Sequence, residues 1–214
     1  MKMSYVIRIL VALVALVPSA ALSRTVADLF ASEPGKVFPL LTRTNRLDLV
    51  DYYNNGQKVP LQNNLAGTSQ FIEMDSDYLK LQSSGSKVVE MRMITAGKDT
   101  VVAVIETVMT PVPDSRISFW NAQWEPLRAD KWFKMPVIDD FLARKMPREL
   151  RADLRDAMVF PLIRLTFKGG SHDIIEASHG LQQFLAADVY KRFADYLVPS
   201  INYQLSGKKF KVVK

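Results

Sequence analysis

The stretch TVVAVIETVMT, residues 100–110, decides the fold. Val101 to Ile105 is apolar without a break and rich in β-branched residues, so neither face of an extended chain here is polar. That predicts a central strand. Gly97-Lys98-Asp99 is the turn leading into it, and Pro111 and Pro113 end it. Towards the N-terminus, Lys87–Ile94 alternates Val89, Met91 and Met93 with Glu90 and Arg92, which predicts one dry face and one wet face. Ser83-Ser84-Gly85-Ser86 joins this strand to Tyr78–Gln82 as a hairpin, and Asp75-Ser76-Asp77 separates that pair from a short strand, Gln70–Met74. Towards the C-terminus, Arg116–Trp120 and Trp124–Leu127 make a further strand or hairpin around Asn121-Ala122. Tight turns between successive strands imply antiparallel pairing.

Helical spacing flanks this block on both sides. Thr25 caps a short helix through Ser32, which Pro34-Gly35 stops. Thr44–Tyr53 is amphipathic, with Leu47, Val50 and Tyr53 on one face and Gly56 as its stop. Lys131–Met158 returns to helical spacing and is split at Pro147, a residue suited to the first position of a new helix. On Pro147–Met158, Leu150, Leu154, Ala157 and Met158 form a buried stripe, Arg148, Arg151 and Arg155 a basic one, and Glu149, Asp153 and Asp156 an acidic one. Leu162–Lys168 alternates again, Gly169-Gly170 turns the chain, and Asp173–Ser178 returns. Leu185–Val198 reads as a helix, and Ser200–Leu205 with Lys208–Val213 as a closing hairpin around Ser206-Gly207. The fold class is therefore α+β, with antiparallel sheets and helices packed on one face, and no βαβ rhythm. Residues 24–214 read as a single domain. Because 44–127 and 137–213 both run helix then strands, two similar lobes are the alternative organisation.

Residues 1–23 have the layout of a signal peptide. Lys2 and Arg8 are the positive n-region, Ile9–Val17 is a nine-residue apolar run, and Ala21 and Ser23 sit at −3 and −1 for cleavage before Arg24. The run is too short for a membrane helix, which needs roughly 20 apolar residues. A periplasmic or secreted location follows, with no stable membrane span after cleavage. The chain of 214 residues has no Cys, so it has no disulfides, thiolate metal sites or lipid-modified cysteine anchor. Hydrophobic residues make up 48%, enough for an ordinary core and against disorder. Removing Lys2 and Arg8 lowers the net charge from +6 to +4, a modest excess without the clustered basic module that nucleic-acid binding requires.

No catalytic constellation emerges. Ser171-His172-Asp173 has the letters of a triad but in consecutive positions, whereas a triad is assembled in space. His172 and His179 are seven apart, which on a strand puts them on opposite faces, so no metal site is expected. No glycine-rich loop opens a helix to cradle phosphate, and no cofactor is expected. Glu73, Asp75, Asp77, Glu90 and Glu106 lie in the strand region, where carboxylates from separate strands could meet. Glu106 stands out because it interrupts an apolar strand. The arginine stripe and the lysines at 208, 209, 211 and 214 are candidates for an anionic surface. Trp120, Trp124 and Trp132 fall close together with Phe119 and are candidate binding residues, since flat aromatic rings suit a glycan or protein contact; core packing is the competing reading. Tyr52 and Tyr53, at the end of their helix before Asn54-Asn55-Gly56, are a second aromatic candidate.

Several runs resemble one family. They are Arg24–Asp28 to Pro39-Leu40-Leu41, Arg46–Gly56, Val104-Ile105-Glu106-Thr107, Pro113–Phe119 and Trp124-Glu125-Pro126-Leu127. Together they are similar to a family of secreted Bacteroides-type (Bacteroidales) proteins of unknown function, over most of Arg24–Leu127. The resemblance implies export into the periplasm or envelope of a Gram-negative anaerobe and carries no catalytic residues. The expectation is an exported, non-enzymatic binding or assembly module with an envelope protein or glycan as partner. The alternative is an envelope hydrolase acting on glycan or peptidoglycan through strand-borne carboxylates.

Overall fold

The computed structural model describes residues 24–96, 99–158, 160, 162–168 and 173–213. The expected signal peptide, Ser171-His172 and the Gly169-Gly170 turn lie outside them. Strand β5, Asp99–Val108, holds the apolar run. Its odd residues Val101, Ala103 and Ile105 enter one core and its even residues Val102 and Val104 enter another, so both of its faces are covered. Around it runs a seven-stranded antiparallel meander in sequence order: β1 (Leu61–Gln62), β2 (Thr68–Met74), β3 (Tyr78–Ser84), β4 (Lys87–Ala96), β5, β6 (Asp114–Asn121) and β7 (Pro126–Leu127). Both edge strands are two residues long, which limits edge-to-edge association. A bulge between Phe71 and Glu73 turns Ile72 outward.

Helices α1 (Val26–Ser32) and α2 (Arg43–Asn54) cover one face of this sheet. Each begins with a reciprocal cap, Thr25 with Asp28 and Thr42 with Asn45. On α2 the buried stripe is Arg46, Leu49, Val50 and Tyr53, the i, i+3, i+4, i+7 set; Leu47 lies off it, 42% exposed, contrary to the expected face. The loop between the helices is organised by Glu33, a residue the sequence reading passed over. Its buried carboxylate accepts from the backbone N–H groups of Gly35, Lys36, Val37 and Phe38 at 2.5–3.3 Å. Arg46 donates to the carbonyls of Leu41 and Glu33 beside it.

A second, four-stranded antiparallel sheet covers the other face, in the order β11-β10-β9-β8: β8 (Ile163–Lys168), β9 (Ile174–His179), β10 (Ser200–Ser206) and β11 (Lys209–Val212). Helix α3 (Arg148–Ala157) starts after Pro147 as expected and inserts Leu154, while α4 (Leu181–Phe184) and α5 (Ala187–Ala194) supply Leu181 and Phe193 to the same core. The expected helix ahead of Pro147 is absent. Residues 129–131 and 138–141 form 3-10 turns, because Pro136 removes a helical donor and forces the residue before it away from α geometry.

The junction of the two sheets follows from register. In the β8–β9 ladder the N–H groups of Ile163, Leu165 and Phe167 point away from β9. Each is taken by a side chain of the large sheet: Asp114 at 2.9 Å, Ser115 at 2.9 Å and Glu90 at 3.0 Å. An edge strand that would otherwise seek another chain is thus closed from within. This corrects the expected wet face of β4. Glu90 is 2% exposed, because the second sheet covers that face and brings its own donors to the carboxylate.

Candidate functional site

The predicted aromatic residues are divided by the sheet. Phe119 and Trp120 are neighbours on β6, so they point to opposite faces. Trp132 stacks on Phe119 in the core between the sheets, with ring centroids 5.8 Å apart. Trp120 and Trp124 lie together on the helix face, 6.0 Å apart. Trp124 is buried, and its indole N–H donates to the Leu29 carbonyl at 3.1 Å. Trp120 is half-buried, donates to Ser118 Oγ at 3.0 Å and has the Lys36 ammonium 5.8 Å from its ring centre. Tyr53 packs edge-on against Phe71, and its hydroxyl accepts from the Met74 N–H. Tyr52, beside it on α2, is half-buried. The five residues do not form one surface patch.

Of the five, Trp132 lines a ligand-sized groove among the described residues. This cavity of about 520 Å³ runs between the start of β5, at Asp99 and Thr100, and the turn Asn121-Ala122-Gln123, with Leu127 and Trp132 completing it. The turn is tightly held. The Asn121 side-chain oxygen accepts from the N–H groups of Gln123 and Glu125, its amide donates to the Glu125 carboxylate, and Trp124 sits at φ +60°. A bulky residue in the left-handed region is strained, and here the pinned indole holds it. From the N-terminal segment, Arg24 donates to the Ala122 carbonyl at 2.9 Å. Trp132 is 8% exposed, and among the described residues its indole N–H has no hydrogen-bond partner. The groove therefore offers a free indole donor, the Asp99 carboxylate, the Thr100 hydroxyl and the Gln123 amide.

The strand carboxylates are engaged elsewhere. Glu106 lies on the helix face between Lys87 at 2.5 Å and Arg116 at 2.7 Å. Burial opposes its charge, but hydrogen bonds from Arg116 and Lys87 and their positive charges together hold its pKa below the usual value. Glu90 accepts from the Tyr78 hydroxyl, the Thr166 hydroxyl and the Phe167 N–H, with Lys80 at 3.3 Å. Of the arginine stripe on α3, Arg151 and Arg155 both bind Asp139 in the preceding 3-10 turn, which draws that carboxyl below its usual pKa, while Arg148 is exposed. Among the described residues no three His, Asp or Glu side chains are grouped to hold a metal ion. No described helix is long and apolar enough to cross a membrane.

These features define an α+β protein of two packed antiparallel sheets with a polar groove at one end of the larger. Residues 19–210 match the family described as "Protein of unknown function (DUF3256)", and the chain belongs to that family. Its structure is similar to that of a domain of an uncharacterized protein from Porphyromonas gingivalis W83, with a TM-score of 0.77 and 24% identity over 87% of this chain and 96% of that one. At that identity the likeness is one of fold. No curated protein matches the sequence.

Proposed function

We propose that this chain is an exported envelope protein that binds a ligand or partner without transforming it, and that the Trp132 groove is its contact site. The observation that carries the proposal is the unpartnered indole N–H beside a cavity of about 520 Å³. The donor opens onto the groove, where a ligand acceptor would take the place of water. A hydrolase reading asks for carboxylates with lone pairs free for acid and base work, and those of Glu90 and Glu106 are occupied by donors. Export is supported by the layout of residues 1–23, with Lys2 and Arg8 ahead of a nine-residue apolar run and Ala21 and Ser23 at −3 and −1.

Two measurements test this. Cell fractionation with N-terminal sequencing should find a periplasmic or secreted chain beginning at Arg24; a cytoplasmic chain that retains Met1 refutes export. Titration with soluble envelope oligosaccharides and envelope protein fractions, read by tryptophan emission, should give a saturable change. That change should disappear in Trp132→Phe and persist in Trp120→Phe. Turnover of any titrant, or a response indifferent to Trp132, refutes the binding reading of this groove.

A further inference from the structure

His179 ends β9, paired with Ile163 at the start of β8. Strand alternation puts its ring on the side of Ile175 and Ala177, both fully buried between the sheets. There the ring meets Phe141 edge-on, with centroids 5.3 Å apart. The residue as a whole is half-buried, but both of its ring nitrogens are buried and neither has a hydrogen-bond partner among the described residues. A neutral imidazole carries one donor and one acceptor, a charged one two donors, and buried groups of this kind are normally paired.

Phe141 and the Val198 backbone beside the ring belong to two short segments that are paired with each other. The Val198 N–H donates to the Phe141 carbonyl and the Ala143 N–H to the Tyr196 carbonyl, each at 2.8 Å, around the isolated bridge between Leu142 and Leu197. Arg144 and Asp195, 3.8 Å apart and mostly exposed, add little to this strap. Opening it breaks two backbone hydrogen bonds and leaves the ladders of both sheets whole, which is the pattern of a local opening. No charge answers the ring. Asp139 and Asp140 flank Phe141, but the first is held by Arg151 and Arg155 and the second accepts from the Val137 N–H. Lys145 is exposed, and Tyr196 lies under the Arg144 guanidinium. From β8 and β9, Arg164 and Glu176 fall on the opposite face by alternation, and Asp114 is taken by the Ile163 N–H. Burial therefore pushes the imidazole below its usual pKa, only partly offset by the backbone of Val198 and of His179 itself.

We infer that His179 is an acid-operated catch: when its ring takes up a proton, the strap of residues 141–143 and 196–198 lifts and lets water reach the imidazolium, while both sheets stay folded. Closed, the strap holds the ring neutral and without a counter-ion. Open, the ring regains an ordinary imidazole's pKa of about 6.5, so each proton taken up favours the open form. The bias is bounded by that titration, at about thirtyfold between about pH 7.5 and about pH 5. What lifts is apolar. Phe141 is fully buried, and Leu142 lines with Met146 a neighbouring cavity of about 440 Å³, so mild acid uncovers an apolar surface there. The inference is independent of the Trp132 groove.

The test is amide hydrogen exchange of the full chain, resolved by NMR at about pH 7.5 and about pH 5 and corrected for the intrinsic pH dependence of exchange, with and without dilute urea. The opening constants of the Ala143 and Val198 amides should rise about ten- to thirtyfold in acid and be indifferent to urea. The Val102 amide in β5, which is freed only by global unfolding, should exchange more slowly and respond to urea. In His179→Leu, and in His179→Met as a second apolar replacement, the acid response of Ala143 and Val198 should vanish while Val102 stays protected. The ring's own NMR titration in the parent chain needs no variant, and its midpoint should lie below the usual histidine value. The inference is overturned by any of four results: opening of the strap unchanged by acid; an acid response that persists in both variants; an acid response with the urea dependence of Val102, which would be global unfolding; or a ring midpoint at or above the usual value.

Discussion

Removing the Glu90 side chain should loosen the junction between the two sheets, and the cost can be worked from its partners. In Glu90→Ala the Phe167 N–H and the Tyr78 hydroxyl, both on residues under 5% exposed, lose their acceptor. The Phe167 N–H left without its acceptor costs about 1–3 kcal/mol, and the lost Tyr78 bond to a charged acceptor about 1.5–3 kcal/mol. The Thr166 hydroxyl is half-buried and can turn to another partner, and Lys80, 22% exposed, can swing into water, so these add little. The total is about 3–5 kcal/mol, in the range for removing one partner of a buried ion pair. For a chain of this size that lowers the thermal midpoint by roughly 6–20 °C. Glu90→Gln should cost less, about 1–2 kcal/mol, because the amide oxygen can still accept from Tyr78 and Phe167 while the Thr166 hydroxyl turns to accept from the amide nitrogen. The assay is urea unfolding at constant slope, read by tryptophan emission and by circular dichroism. If Glu90→Ala costs under about 1 kcal/mol, Glu90 is not the link between the sheets that its hydrogen bonds describe.

Further expectations follow from other close contacts. A Cβ on Gly180 would sit 2.2 Å from Cγ1 of Val112, a stiff side chain only 5% exposed, so Gly180→Ala should destabilise by about 1–3 kcal/mol and Val112→Ala in the same chain should restore part of it; urea midpoints decide. His179 is pushed below its usual pKa by burial, only partly offset by the Val198 backbone, and neither ring nitrogen meets a partner at hydrogen-bond geometry. The unfolded chain therefore binds the proton more readily, so stability should be constant above about pH 6.5 and fall as pH drops below it. His179→Leu should flatten that limb between about pH 6.5 and 5, and an unchanged slope would mean another group is responsible. Glu106, held below its usual pKa, adds an acid limb of the same sign at lower pH, with stabilisation present above the usual carboxylate range and lost as pH falls below it; Glu106→Gln should remove that component, measured by acid titration of the folded fraction.

What could be read in the sequence was whatever a single segment determines. The apolar run of β5, the turns at Ser83–Ser86 and Ser206-Gly207, the cap at Thr25 and the helix start at Pro147 depend on neighbours a few residues away, and they stand where expected. Errors arose where a distant segment intervened. Glu90 looked solvated because Thr166 and Phe167, which bury it, lie more than 70 residues further on. Leu47 looked inward because its spacing to Val50 and Tyr53 fits one helical stripe, while the stripe that docks runs through Leu49. The site was legible only in part. Trp132 was marked as aromatic, but whether its N–H is paired depends on the turn at 121–123 and the start of β5.

The buried carboxylates and the Trp132 groove differ in how far their hydrogen-bonding groups are taken up within the fold. Chemistry by carboxylates needs acceptors left open, yet Glu33 takes four backbone N–H groups, Glu90 takes hydroxyl and backbone donors, and Glu106 takes two cations. Trp132, by contrast, lines a ligand-sized groove at the end of the large sheet and carries an indole donor with no protein partner among the described residues, open to a ligand acceptor in place of water.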